Sequence, residues 1–349
     1  MAEASNARVG DRQRGRMRSR LAMAGAVLAM LTSGCAHAQS RADAGPGPIA
    51  VYGNTTTFEI APVFVAAESY YPGVATVKMG SVTNLVGEAS VPGYGSEGVA
   101  DVATNAETQA LRYSLRNPDM RIIMTVTEGL YRIVAKRSSG INKLADLKGK
   151  KIATISVTSS GYFTQKMLKT VGLTSDDVTM VGMRLPDMPK ALADGTVDAV
   201  AIWEPEVERA AQAIGSDVIE FSGKGVYREL FNLNTIAPNL ADPEKRRKIV
   251  TFVRAIIDAA AEVREKPARA QELVSEHSKY PLDLVKQSWS HHAFIADWTG
   301  DLLDVMEEEE AWLARQDKRT PRTRAQLATL IDTSVLEEAM AMKPLPRRK

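Results

Sequence analysis

A chain of 349 residues, 44% hydrophobic and 25% charged, is long enough for two lobes with separate cores and carries no compositional sign of disorder. Its 44 basic residues against 42 acidic ones give a formal charge of +2. Removing residues 1–34 takes away 6 basic and 2 acidic residues and leaves 38 against 40, so the basicity belongs to the N-terminus and nucleic-acid binding loses its electrostatic basis.

That N-terminus holds Arg8, Arg12, Arg14, Arg16, Arg18 and Arg20 ahead of the apolar run 21–31. A charged segment followed by an apolar one too short for a permanent span reads as an export signal, and Met17 offers a second, more typical start. Two exits stand open. Leu31-Thr32-Ser33-Gly34-Cys35 resembles a lipobox, which makes 1–34 the signal and Cys35 a lipidated first residue; Ala36-His37-Ala38 is a small-x-small cleavage site, which makes the signal 1–38. The expected route is the lipoprotein one, because the chain's single cysteine stands at that place. No internal disulfide is then available, and burial alone must hold the fold. Residues 35–48 read as a linker.

From residue 49 onward strands alternate with short helices. Residues 49–52 form a strand and 53–57 a loop; a helix begins near Pro62, where a missing N–H costs nothing. Strands at 74–79, 99–103 and 121–126 frame helices at 82–90 and 109–116. A strand at 130–136, a helical turn through Ile141, Leu144 and Leu147, and a strand at 151–157 follow. A hydroxyl-rich loop then opens a helix whose inward stripe is Phe163, Met167 and Val171, stopped by Gly172. Strands at 178–181, 197–203 and 218–221 alternate with helices at 188–193 and 205–214, and 227–235 returns the chain to its first half. The remainder reads as helices at 244–265, 268–278, 281–291, 299–316, 323–330 and 334–342, a cover on the first lobe. The alternation predicts an α/β protein with doubly wound, mainly parallel sheets, one lobe from 49–129 plus 230–349 and a second from 130–229.

A strand that ends in small hydroxyl residues and opens a helix can hold an anion, which singles out Ser156, Thr158, Ser159 and Ser160; a plain helix cap would need only one of them. Trp203 and Glu204 stand at the C-terminal end of a buried strand, where open α/β sheets bind ligands, and Thr56, Phe58, Asn105, Glu107, Thr108 and Glu128 occupy the matching mouths of the first lobe. Glu107 and Glu204 also suit helix N-termini as simple dipole partners. Other signals read as bland. Gly93-Tyr94-Gly95-Ser96-Glu97-Gly98 follows a helix instead of a strand and is a loop, not a dinucleotide fingerprint. His291 and His292 are neighbours pointing about 100° apart on a helix and do not chelate one metal together. Glu307 to Glu310 reads as a solvated helix face.

The run Asp146-Leu147-Lys148-Gly149-Lys150-Lys151-Ile152-Ala153, then Ala191-Leu192 with Gly195, Val197-Asp198-Ala199 and Trp203-Glu204-Pro205, resembles the solute-binding proteins of ABC importers. Among these it is most similar to the sulfonate, taurine, nitrate and thiamine-precursor (NMT1/THI5-like) branch, over about residues 49–340. The resemblance implies a periplasmic-binding-protein-like (type II) fold with two lobes and a C-terminal helical cover, no enzymatic activity, no cofactor and no metal. It implies a monomer that captures a small polar organic ligand, a sulfonate-like anion or a zwitterion, and delivers it to an ABC permease with a separate ATPase subunit. The protein is then periplasmic, held to the outer face of the inner membrane if Cys35 is acylated. Glu107, Glu128 and Glu204 would suit an amine or an aminopyrimidine thiamine precursor instead. A thiamine-pyrimidine synthase-like enzyme is the rival from another class, without that branch's cysteine-rich iron motif. An effector domain of a transcription regulator would bring a helix-turn-helix that this chain lacks.

Overall fold

The computed structural model describes residues 45–88 and 95–348, and the chain from Pro48 onward forms one compact unit. The export signal, Cys35 and the alternative cleavage site lie outside the described residues, as does the start of the glycine-rich loop. Among the described residues no helix is long and apolar enough to cross a membrane.

The chain opens with β1 (Ile49–Gly53), α1 (Ala61–Val65), β2 (Ala75–Met79), β3 (Val102–Ala106), α2 (Glu107–Tyr113) and β4 (Met120–Gly129). It crosses to a second sheet through β5 (Arg132–Lys136), β6 (Lys151–Ala153), α3 (Ser159–Thr170), β7 (Thr179–Val181), α4 (Met188–Ala193), β8 (Ala199–Ile202), α5 (Glu206–Ile214) and β9 (Val218–Ser222). It returns in β10 (Glu229–Ile236) and continues through α6 (Ala237–Ala241), α7 (Pro243–Glu265), α8 (Ala268–Ser278), α9 (Leu282–Ser288) and the short β11 (His292–Ala293). It finishes in α10 (Leu302–Gln316), α11 (Arg324–Ala328) and α12 (Ser334–Ala341).

The sheet orders are β11-β4-β10-β3-β1-β2 and β7-β6-β8-β5-β9. Strands joined by crossovers within a lobe run parallel, β1 with β2 and β3, and β6 with β7 and β8. The strands that carry the chain between lobes enter from the opposite end and pair antiparallel, β4 with β10, and β5 with β8 and β9. Both sheets are therefore mixed, and the doubly wound half of each is its parallel part. This is the two-lobe α/β fold that the alternation of elements implies.

Three local departures from the sequence pattern have physical causes. The expected strand at 99–103 lies at Val102–Ala106, because Gly98 takes a positive φ of 131° and Val99 turns to solvent. The expected strand at 151–157 stops at Ala153, since the carbonyl of Ile155 already accepts a turn bond from the Thr158 N–H at 3.0 Å. In α3, Phe163 and Met167 are buried, but the helix ends at Thr170 and Val171 is 36% exposed, so the inward stripe is one residue shorter than its period suggests. Gly161 is required for packing, because a Cβ there would stand 2.4 Å from the Ser156 carbonyl oxygen.

The first lobe buries α1 and α7 against its sheet through Phe58, Phe64 and Phe252. A second apolar cluster is continuous between lobes and joins Ile133 and Phe163 to Tyr227, Met306 and Trp312. Helix α10 is thus more than a cover on the first lobe, since Trp312 meets Tyr162 of α3 with ring centroids 5.1 Å apart. Replacing Phe163 by Ala is expected to destabilise the protein by about 3–5 kcal/mol, and Val171 by Ala to stay within about 0.5 kcal/mol. Urea titrations check this, and equal losses at the two positions would restore the longer stripe.

Candidate functional site

The two crossings between lobes are short, Leu130 with Tyr131 after β4, and the stretch from Gly223 to Arg228 before β10. Side chains at the strand and helix ends beside them meet face to face. On the first lobe these are Glu59, in the 3-10 turn after β1, Glu107 at the first position of α2, Glu229 at the first of β10, and Glu309 inside α10; all four are buried. Facing them are Tyr131, Ser159 at the first turn of α3, Tyr162, and Tyr227 of the return crossing.

Each acid is handled differently. Glu107 accepts hydrogen bonds from the Tyr227 hydroxyl at 2.7 Å and the Leu230 N–H at 2.8 Å. Burial still outweighs these bonds and holds its carboxyl above the usual range. Among the described residues neither oxygen of Glu309 accepts a bond from an N–H or a hydroxyl, and its carboxyl feels that of Glu107. Two carboxyls can bond only when one holds a proton, and burial together with the charge of Glu107 favours the protonated form of Glu309. Burial, then the charge of Glu107, push Glu309 well up; the cation felt there, Lys166, is already bonded to Glu308 at 2.8 Å. Glu229 is pushed well up by burial and by the charges of Glu59 and Glu107, and takes a bond from the Ser159 hydroxyl at 3.4 Å. Of these four acids, Glu59 alone has a cationic partner among the described residues, His292 at 3.8 Å. Burial raises Glu59, but the hydrogen bond and charge of His292 outweigh it and leave the carboxyl low; burial would lower His292, and Glu59 raises it instead.

Beside this row Arg132, at the first position of β5, donates from Nη2 to Glu204 Oε1 at 2.9 Å and from Nη1 to Glu220 at 2.7 Å, and also bonds Glu208. His291 of the first lobe lies 3.8 Å from Glu204. Burial, then the charge of Arg132, lower the imidazole to about 4, so it is neutral at ordinary pH. Glu204, Glu208 and His291 bring one ligand atom each within 4.8 Å of one another, the spacing of a cation site, and the guanidinium of Arg132 already sits against its two carboxylates.

The residues expected from sequence fall into several places. Of the hydroxyl loop, Thr158 donates to the Ile155 carbonyl at 2.8 Å, Ser160 bonds Thr158 at 3.0 Å and Ser156 contacts the Met180 sulfur, while Ser159 bonds Tyr131 at 3.0 Å and faces Glu229. Thr56 is bonded to Asn54 at 2.7 Å, and Asn105 to its neighbour's N–H at 2.9 Å. Phe58 packs on Tyr280 and His292, and Thr108 is buried with its hydroxyl unpartnered. Glu128 pairs with Arg228 at 2.6 Å, and Trp203 is half-buried between two apolar clusters. Sequence reasoning brought Glu107, Glu204 and Ser159 to this seam and missed Glu59, Glu229, Glu309, His292 and Arg132. The run Glu307 to Glu310 is not a solvated face throughout: Glu309 and Glu310 point inward, Glu310 bonding Arg319 and Arg322. Four consecutive residues span more than one turn, so a helix that packs on one side must bury some of them.

Residues 57–270 match the family model described as NMT1/THI5 like. The chain belongs to that family. A protein of Bacillus subtilis (strain 168) described as an aliphatic sulfonates-binding protein is 29% identical over 145 residues, 41% of this chain; the match spans less than half of that relative, 43% of its length. The periplasmic aliphatic sulphonate binding protein SsuA from Escherichia coli has a similar structure, with a TM-score of 0.62 and 17% identity over 80% of this chain and 91% of that one. The desulfurization enzyme DSZB is similar too, with a TM-score of 0.55 and 14% identity over 84% and 99% of the two chains. At these identities the likeness is one of fold, and the fold carries both a binding protein and an enzyme.

The carboxyl pair generates a test with a definite sign. A buried acid held above its ordinary pKa of 4.5 leaves its stability intact below that pH and loses it as pH climbs toward the raised value. In Glu309→Gln the amide donates to Glu107 without a proton to lose. The variant is expected to gain on the wild type by about 1–3 kcal/mol at high pH, and to show no gain near pH 4. Thermal unfolding across the pH range reads this, and a difference independent of pH would mean that the pair shares no proton.

Proposed function

We propose that this protein is the solute-binding component of an ABC importer, closing its two lobes on a small polar organic ligand and passing it to a permease served by a separate ATPase. The observation that carries the reading is the seam itself: polar side chains from both lobes face one another beside two short crossings, so neither lobe alone supplies the contact set. Ser159 at the start of α3 suits a sulfonate-like group and the acids opposite suit an amine, so a zwitterion uses both. An aminopyrimidine thiamine precursor is the second ligand reading, favoured by the same acids and the tyrosines beside them. The binding role is preferred to a synthase-like reaction because the chain's single cysteine supplies no cysteine-rich iron motif.

The export signal reading places the protein in the periplasm as a monomer, tethered through Cys35 to the outer face of the inner membrane. N-terminal sequencing of the mature protein is expected to begin at Cys35, and Cys35→Ala to release it from membranes; a first residue of Gln39 would establish the soluble route.

Capture between lobes has its own signature, since a ligand shifts the opening equilibrium by its preference for the closed form. A thermal-shift screen of sulfonates, taurine, nitrate and aminopyrimidines is expected to find a binder adding about 2.7 kcal/mol at a hundred times its Kd. Small-angle scattering with that binder is expected to show a smaller radius of gyration. Saturation without compaction would remove the receptor reading.

A further inference from the structure

We infer that the group this receptor selects is an organic ammonium, taken by the row of buried acids Glu59, Glu229, Glu107 and Glu309; the inference rests on the receptor reading above. Three of the four, Glu107, Glu229 and Glu309, form no ion pair among the described residues, although each is at most 5% exposed. Glu309 is the unmatched member, with both oxygens unbonded by any N–H or hydroxyl and directed at Glu107, and Glu59 Oε2 is likewise without a donor. Three buried acids with no cation among them favour their protonated forms in the empty closed form, and an ammonium from outside would let them ionise by pairing with it. An anion alone would meet the like charge of Glu59, whose carboxyl is held low.

The spacing separates an organic cation from a metal ion. Among the described residues the one group of three or more ligating side chains gathered within 4.8 Å is Glu204, Glu208 and His291, where Arg132 already supplies the positive charge. The row does not gather in that way; Glu229 feels the charge of Glu59, and Glu309 that of Glu107. Beside it three tyrosine rings pack edge to face, Tyr227 standing 5.5 Å from Tyr131 and 5.7 Å from Tyr162 between ring centroids. Carboxylates in a row beside tyrosine rings match N–H donors on an alkyl frame, through charge-assisted hydrogen bonds and ring attraction.

The test is isothermal titration of the full chain near neutral pH with 1,4-diaminobutane, taurine, ethanesulfonate and calcium chloride as probes. The ammonium-bearing probes are expected to bind, ethanesulfonate to bind at least tenfold more weakly than taurine, and calcium to leave diaminobutane binding unchanged. Glu309→Gln and Glu229→Gln are expected to weaken diaminobutane at least tenfold while keeping or raising the unfolding temperature of the free protein, which separates a lost contact from a lost fold. Ethanesulfonate binding as tightly as taurine would leave the receptor standing and overturn the ammonium inference. Calcium displacing the diamine would replace it with a metal site. No binding by either ammonium probe would also overturn it, whereas the receptor reading falls only on the scattering result.

Discussion

The constraint on which this molecule turns is the burial of carboxyls without cations where its two lobes meet. An ionised carboxylate in such a place loses several kcal/mol of solvation unless it is paired. The protein meets that demand in three ways within one seam. Glu59 is paired with His292, Glu204 with Arg132, and beside Glu107 burial and like charge favour a proton on Glu309. In the first two a cationic side chain stands opposite the carboxyl. The third depends on keeping water out, because opening the lobes would hydrate both carboxyls and let the proton leave.

The topology puts these groups together. Strand ends and helix starts converge where β4 gives way to β5 and where the chain returns in β10, so β10 begins with Glu229 and α2 with Glu107 close to the lobe boundary. Arg132 begins β5 and is held by Glu204 at the end of β8, by Glu208 one turn into α5 and by Glu220 in β9, which fixes the second lobe's edge of the seam. His291 and Tyr280 reach from the first lobe to Glu204 and Glu206, so closure is also made of direct contacts. A ligand that neutralises the acid row adds to these contacts instead of competing with them.

Much of the fold was legible in the residue pattern, and the reasons are local. Glycines at helix ends, among them Gly172 and Gly195 with φ near 73° and 74°, mark stops that any reader of the chain can find. The parallel strands are apolar runs bounded by such signals. The antiparallel crossing strands were less visible, because direction is set by which lobe a strand comes from and not by its composition. The site was legible only in part. Glu107 and Glu204 advertise themselves at helix starts after buried strands, whereas Glu309 hides in an acidic run whose average is polar. Glu59 did carry a signal, a lone acid inside the apolar stretch Phe58-Glu59-Ile60, where burial of the neighbours drags the charge inward; Glu229 follows Arg228 and carried no such signal. Weighing a solitary charge against its flanks would have found Glu59.

The proton between Glu107 and Glu309 is the most exposed claim, and infrared spectroscopy observes it without a ligand. A protonated carboxyl absorbs apart from carboxylates, so the free protein at neutral pH is expected to show carboxylic acid absorption that loses intensity in both Glu309→Gln and Glu107→Gln, with the part due to Glu229 remaining. A spectrum at neutral pH containing carboxylates only, with no acid band for either substitution to remove, would contradict it.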